Sequence, residues 1–211
     1  MIRKILGLCS VLIFVGWGGA VNAGLIEVVA DGGFEGGSPN ASWAETSTNF
    51  GTPLCTIASC IPGGSTGPYS GSWWAWFGGT AGVNETGSVS QDVTIPVGTS
   101  ATLSFYYRVP VADAASGFLE VSLGGSSLFL DDTNTTIGAY SIQSIDVSSF
   151  ADGGTYALLF NSITTAGNGP TNYFVDAVSL QVETESVPAP ATLALLGLGL
   201  AGLGWSRRKQ A

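Results

Sequence analysis

The sequence predicts an all-β fold, an antiparallel β-sandwich, between two terminal segments of a different character. Glycine makes up 31 of the 211 residues, about twice its usual share, and this composition favours short strands joined by tight turns. Within residues 101–110, Leu103, Phe105 and Tyr107 alternate with polar residues, as expected of a strand with one buried face. No stretch of the middle region shows a convincing helical period. We therefore predict a sandwich and favour the jelly-roll arrangement.

The predicted strands follow one another through a single domain, residues 24–185. Each is a short run of apolar residues, or of apolar residues alternating with polar ones, and Gly, Asp and Asn lie in the turns between the runs. About 160 residues is enough for a sizeable core. The runs are 73–77, 89–95, 101–110, 119–123, 128–130, 140–147, 155–160 and 172–182.

The N-terminal segment, residues 1–23, predicts a secretory signal peptide with a helical apolar stretch. Arg3 and Lys4 precede an apolar run, and small residues before Gly24 form a cleavage site. Export leaves two cysteines, Cys55 and Cys60, in the mature chain. In an oxidising compartment a local disulfide between them is expected.

The C-terminal segment, residues 186–211, has three parts in a fixed order. Val187, Pro188, Ala189 and Pro190 come first, and a 15-residue apolar run follows at 191–205. As a helix this run is about 22 Å long, shorter than the roughly 30 Å hydrocarbon core. The chain then becomes basic, which holds this end in the cytoplasm. We predict a processing signal that anchors the chain in the inner membrane before cleavage, and an ordinary membrane anchor is the alternative. The basic stop consists of Arg207, Arg208 and Lys209.

This layout resembles the PEP-CTERM sorting signal of exopolysaccharide-producing Gram-negative bacteria. In that family a V-P-E-P motif, an apolar span and an Arg-rich end occur together at the C-terminus. The resemblance covers about 23 of the 211 residues, and Ala189 stands where the family has Glu. It implies export by the secretion machinery, cleavage near the motif by the membrane protease exosortase, and a final place on the outer surface or in the extracellular matrix with exopolysaccharide.

Charge is distributed unevenly along the chain. All 15 acidic residues lie between Glu27 and Glu185, and Arg108 is the one Lys or Arg in that span, which gives it a net charge of −14. Nucleic acids and anionic membrane surfaces are therefore poor partners for the domain. Neutral polysaccharide and divalent cations suit it better.

The opening and closing stretches of the domain carry a second resemblance. Residues 31–35 read D-G-G-F-E, and residues 172–178 read N-Y-F-V-D-A-V. The pair is similar to jelly-roll carbohydrate-binding modules, which open with an N-G-x-F-E-like motif and close with a strand carrying D-x-V. Those modules usually hold a structural calcium between their first and last strands. The resemblance implies Ca²⁺ ligands at Asp31, Glu35 and Asp176, with Asp31 in place of the commoner Asn.

Asp176 also points to a metal by its own surroundings. Strand periodicity places it on one face with Phe174, Val178 and Leu180, among core side chains. A buried carboxylate needs a hydrogen-bonding, charged or metal partner, and the domain has no His and no Lys. Calcium suits carboxylate and carbonyl oxygens. The alternative is that backbone N–H groups or Arg108 satisfy the carboxylate.

An aromatic cluster is the second candidate site. Alternation in residues 73–77 sends Trp74 and Trp76 to one face and Trp73 and Phe77 to the other. One pair is expected in the core, and the other to be exposed. Sugar rings stack on exposed aromatic faces, so Trp43, Trp74 and Trp76 form a hypothetical glycan-binding platform. The alternative is a core enriched in tryptophan.

Catalytic patterns are weak in this sequence. The G-x-S-x-G match at residues 63–67 lies in a Pro/Gly loop, and the chain contains no His to activate its serine. We therefore predict a non-enzymatic surface or matrix protein associated with exopolysaccharide. A glycan-binding module with structural calcium is the alternative. A hydrolase would need two carboxylates lining one cleft.

Overall fold

The computed structural model describes residues 24–60 and 67–185. The span Gly24–Glu185 forms one compact unit with a continuous hydrophobic core, so we expect it to fold by itself. The predicted signal peptide, residues 1–23, and the predicted sorting segment, residues 186–211, lie outside the described residues. Within the described ranges, no helix has both the length and the apolar character needed to cross a membrane.

The described residues form eleven strands and two single helical turns. The turns are Ile57–Cys60 and Ser148–Phe150. The strands are β1 (Leu25–Glu27), β2 (Ala44–Ser47), β3 (Leu54–Thr56), β4 (Trp73–Gly78), β5 (Glu85–Thr94), β6 (Ser100–Ala112), β7 (Gly117–Leu123), β8 (Ser126–Asp131), β9 (Ile137–Asp146), β10 (Thr155–Thr164) and β11 (Thr171–Glu183).

These strands build two antiparallel sheets that pack face to face, which confirms the predicted sandwich. Sheet A has the order β3-β4-β11-β6-β9, with β1 paired to one end of β11. Sheet B has the order β2-β5-β10-β7-β8. From β4 onward the chain passes to the opposite sheet at every connection except the β7–β8 hairpin. Neighbours in each sheet are therefore mostly distant in sequence.

The main core lies between the sheets and follows the predicted alternation. In β6 the side chains of Leu103, Phe105 and Tyr107 are at most 1% exposed. Phe105 meets Phe160 of β10 edge to face, with ring centroids 5.3 Å apart. Each such ring removes a large apolar area from water, so these inward positions hold the two sheets together.

One predicted face is wrong, and a β-bulge is the reason. Ala177 adopts a left-handed conformation with φ of 50°, and the β11–β6 register shifts by one residue just after Asp176. An extra residue reverses which side chains face the core. Val178 and Leu180 therefore enter the main core, whereas Asp176 shares only Phe174 with its predicted set and lies on the outer face of sheet A.

The predicted bond between Cys55 and Cys60 is present, with Cα atoms 5.7 Å apart. Cys55 lies in β3 and pairs with Trp74 of β4, while Cys60 ends the helical turn that follows. The disulfide therefore fixes this turn beside the outer face of sheet A.

Candidate functional site

The outer face of sheet A, turned away from sheet B, carries a second and smaller hydrophobic cluster. We call the cluster of Trp74, Trp76 and Phe174 the aromatic layer. Phe174 pairs with Trp76 across the strands, and its ring centroid is 5.7 Å from that of Trp74 and 5.1 Å from that of Trp76. Cys55 is buried in the same cluster, with Cys60 packed against it. The disulfide therefore covers part of the layer.

The three predicted platform residues occupy different environments. Trp43 is 2% exposed and packs in the main core against Phe34, with ring centroids 5.2 Å apart. Trp74 is 0% exposed, and Trp76 is partly exposed. The burial of Trp43 and Trp74 is at odds with an exposed platform at those positions, because neither ring presents a face to solvent. Trp76 alone of the three is open to a ligand.

A group of tyrosines extends this face, and the sequence interpretation missed it. Tyr69 stacks on Tyr106 with ring centroids 3.4 Å apart and meets Tyr140 edge to face at 5.7 Å. The Tyr140 hydroxyl donates to the carbonyl of Gly67 at 3.1 Å. Tyr69 is 45% exposed. Three separate chain segments contribute these rings, so no local pattern marks them as a set.

Several polar groups on this face are buried without a hydrogen-bonding partner among the described residues. They include both indole N–H groups of the aromatic layer and the Nε of Arg108, which pairs with Phe174 across the strands. The side-chain oxygen of Asn172, on β11 like Phe174, is a fourth unpaired group. Buried polar groups are normally paired, and four of the six exceptions among the described residues lie on this face, the other two being the hydroxyls of Ser162 and Tyr173.

The Asp176 carboxylate is held by backbone N–H groups. Its Oδ2 accepts from Ser70 at 2.9 Å and its Oδ1 from Ala177 at 2.6 Å. The residue is fully buried, and this burial raises its pKa to about 6, to which the charge of Glu35 also contributes. Burial therefore disfavours the charged form of the Asp176 carboxyl group. Backbone capping, the alternative to a metal, accounts for both oxygens.

Glu35 lies in the same corner of the molecule as Asp176. Its Oε1 accepts from the backbone N–H of Ser72 at 2.7 Å and of Trp73 at 3.0 Å. Gly71 suits this corner, because its φ of 66° favours glycine and a Cβ at that position would lie 2.1 Å from Glu35 Oε1. The fold therefore brings two of the three predicted calcium ligands together.

Asp31 is held by a different set of partners. Its Oδ2 accepts from the N–H of Gly36 at 3.0 Å and from Nδ2 of Asn40 at 2.7 Å. In the two described ranges, no group of three or more His, Cys, Asp or Glu is arranged to hold a metal ion. Calcium at Asp31, Glu35 and Asp176 stays a prediction.

Comparisons with known proteins identify the C-terminal sorting segment and, separately, the fold of the sandwich. Residues 186–209 match the family described as the PEP-CTERM protein-sorting motif. The chain therefore carries that sorting signal, which implies an exported protein processed by exosortase. No curated protein sequence matches the chain.

Among solved structures, the sandwich is similar to those of carbohydrate-binding modules and adhesins. TmCBM61, solved in complex with β-1,4-galactotriose, is 18% identical with a TM-score of 0.51, covering 75% of this chain and 99% of that one. The K3 cleaved adhesin domain of Lys-gingipain from Porphyromonas gingivalis is 17% identical with a TM-score of 0.53, covering 75% and 99%. At these identities the likeness shows the fold alone.

Proposed function

We propose that this protein is exported, sorted by exosortase to the cell surface or extracellular matrix, and associated there with exopolysaccharide. The observation that carries the proposal is the sorting motif at residues 186–209, attached to a sandwich like those of carbohydrate-binding modules. The secretion machinery and exosortase are its partners during export, and the inner membrane holds it before cleavage. The signal peptide predicted at residues 1–23 supports the same route.

We infer that the sandwich is a jelly roll. The support is strand order: β4-β11-β6-β9 in one sheet and β5-β10-β7-β8 in the other, with the chain crossing between sheets along β4 to β11. Eight strands connected in this way form the double Greek key of that fold.

Within this role the sandwich binds glycan through the outer face of sheet A. Trp76 offers a partly exposed ring there, and sugars stack on such rings through their C–H faces. TmCBM61, which shares the fold, was solved with a galactose oligomer bound. The net charge of −14 over residues 24–185 disfavours uronate-bearing chains, so the glycan we propose is neutral.

A binding role suits this face better than a catalytic one. The chain contains no His, and the two carboxylates that lie together, Glu35 and Asp176, both accept backbone hydrogen bonds. We therefore propose a non-enzymatic protein.

Replacing Trp76 by alanine should weaken binding to neutral exopolysaccharide by about tenfold or more, since truncating a central aromatic contact commonly costs this much. Affinity electrophoresis and tryptophan fluorescence titration of residues 24–185 would measure it. Trp73→Ala is the matched control, because Trp73 is partly buried in the same strand but packs against the main core on the opposite face. Failure of the unaltered protein to bind any neutral or acidic polysaccharide would overturn the glycan proposal.

We also propose a structural calcium at the corner that contains Asp176 and Glu35. Its support is the proximity of the two carboxylates, one of them fully buried with a raised pKa, in a domain with a single basic side chain. Calcium would use these oxygens together with backbone carbonyls. Asp31 is the third residue that the family resemblance implies.

Calcium at a concentration about 100 times its Kd should raise the melting temperature by about 5 to 10 °C. The Asp176→Ala protein should show no such rise. Asp131→Asn is the control, because Asp131 is another buried carboxylate, bonded to Tyr107 in a different part of the sandwich. An Asp176→Ala protein that calcium still stabilises would rule out this site, and equal loss in both variants would point to a general effect of acidic residues.

A further inference from the structure

A cavity of about 400 Å³ opens at the end of β4, beside the exposed edge of the aromatic layer. Its volume lies within the range of small-molecule sites, roughly 300 to 1,000 Å³. Trp76 forms one wall, the Cys55–Cys60 disulfide a second, and Phe50 of the β2–β3 loop a third. No sequence pattern marked Phe50 as a site residue, because it is a single aromatic residue in a polar loop.

Phe50 is an unusual residue to find in an open loop. Its side chain is 52% exposed, although burying a phenylalanine contributes about 1.5 to 3 kcal/mol. The ring lies over the backbone of Gly79, where a Cβ would be 2.9 Å from Phe50 Cε2. The loop therefore holds an apolar ring at the mouth of the cavity.

A buried carboxylate fixes this loop in place. Glu85 is 3% exposed, and its two oxygens accept four hydrogen bonds. The donors are Ser47 Oγ at 2.5 Å, Thr48 N at 3.1 Å, Asn49 N at 3.0 Å and Asn49 Nδ2 at 2.7 Å. Ser47 Oγ in turn accepts from the N–H of Phe50 at 3.0 Å. Hydrogen bonds to a charged group are the strong ones, so Glu85 is a positioning residue for Phe50.

The lining also limits the charge of an occupant. Among the described residues that line it there is no Lys or Arg, and Glu85, the one carboxylate among them, is already saturated by the four donors. A charged ligand would lose hydration without gaining a partner. The hydroxyl of Thr80 on the lining can pair with a sugar hydroxyl, while the aromatic walls match the C–H faces of a ring.

We propose that this cavity is a sugar-binding pocket that takes one neutral pyranose unit between Phe50 and Trp76, with Glu85 holding Phe50 in position. The inference rests on the proposed glycan-binding function and gives it a location and a ligand class. It places recognition at the end of β4 rather than on the open tyrosine surface around Tyr69.

The test measures the affinity of residues 24–185 for neutral exopolysaccharide and its oligosaccharides. Phe50→Ala should weaken binding about tenfold or more while leaving the melting temperature unchanged, since Phe50 is largely exposed. Tyr69→Ala is the matched control, because Tyr69 is a similarly exposed aromatic residue on the same face outside the cavity, and it should bind normally. Glu85→Gln should also weaken binding, and adding it to Phe50→Ala should cause little further loss, since both act through one loop.

The outcomes separate this inference from the function on which it depends. If the unaltered protein binds glycan but Phe50→Ala binds equally well, or if Tyr69→Ala is the variant that loses binding, the pocket is wrong and the function stands. If no glycan binds at all, both fail. If the Glu85→Gln protein unfolds, the affinity of Phe50→Ala alone tests the pocket. Uronate oligomers that bind as tightly as neutral ones would overturn the proposal that the ligand is neutral.

Discussion

Replacing Trp74 by alanine should lower the free energy of unfolding of residues 24–185 by about 3 to 5 kcal/mol. Trp74 is fully buried but lies outside the main core, between sheet A and the covering disulfide. Its removal leaves Phe174 and Trp76 without their shared neighbour. A domain of this size is stable by only about 5 to 15 kcal/mol, so the loss is a large share of the total. Chemical denaturation followed by circular dichroism would measure it.

Trp74→Phe separates the ring from its polar group. The indole N–H is buried without a partner among the described residues, and such a group costs about 1 to 3 kcal/mol when left unpaired. Phenylalanine removes that cost while keeping most of the apolar area, so this variant should lose much less stability than Trp74→Ala. If Trp74→Ala lost less than about 1 kcal/mol, the aromatic layer would not be a structural element of the fold.

The sandwich was predictable because its strands alternate cleanly where one face is buried. Leu103, Phe105 and Tyr107 show the rule, and their inward faces match the expectation. The reversal after Asp176 was not predictable in the same way. It depends on Ala177 adopting a positive φ, which a sequence pattern does not mark in a residue other than Gly or Asn. A single bulge moved Asp176 from the core to the outer face.

The candidate site was predictable only in part, since each sheet of a sandwich has two faces and either can be covered. Alternation correctly separated Trp74 and Trp76 from Phe77, but it assigned one pair to the core and the other to solvent. An outward-facing side chain can also be buried under another part of the chain. Here the turn that ends at Cys60 packs against the outer face of sheet A and covers part of it. The position of Phe50 depends on hydrogen bonds to Glu85, 35 residues away in sequence, and such long-range contacts have no local signature.

Deleting residues 186–211 should abolish exosortase processing and surface retention, so that the sandwich is released as a soluble exported protein. This is the largest functional effect we expect, because the sorting motif at 186–209 is the part of the chain that implies exosortase processing. The measurement is mass spectrometry of the C-terminus of the native protein, together with its distribution among membrane, surface and medium. In the unaltered protein, cleavage near Pro188 should remove the apolar run and the basic end.

Ala189 provides the matched comparison within the motif. Glutamate is the residue of the resembling family at this position, so Ala189→Glu should raise the fraction of processed protein without changing the sandwich. Replacing both Pro188 and Pro190 by alanine should lower that fraction, since it removes the two prolines of the sorting motif. A strain lacking exosortase should accumulate the uncut form of every variant. An intact Lys209 on the mature surface protein would contradict this scheme, because a 15-residue apolar run with its basic end retained would then serve as a plain membrane anchor.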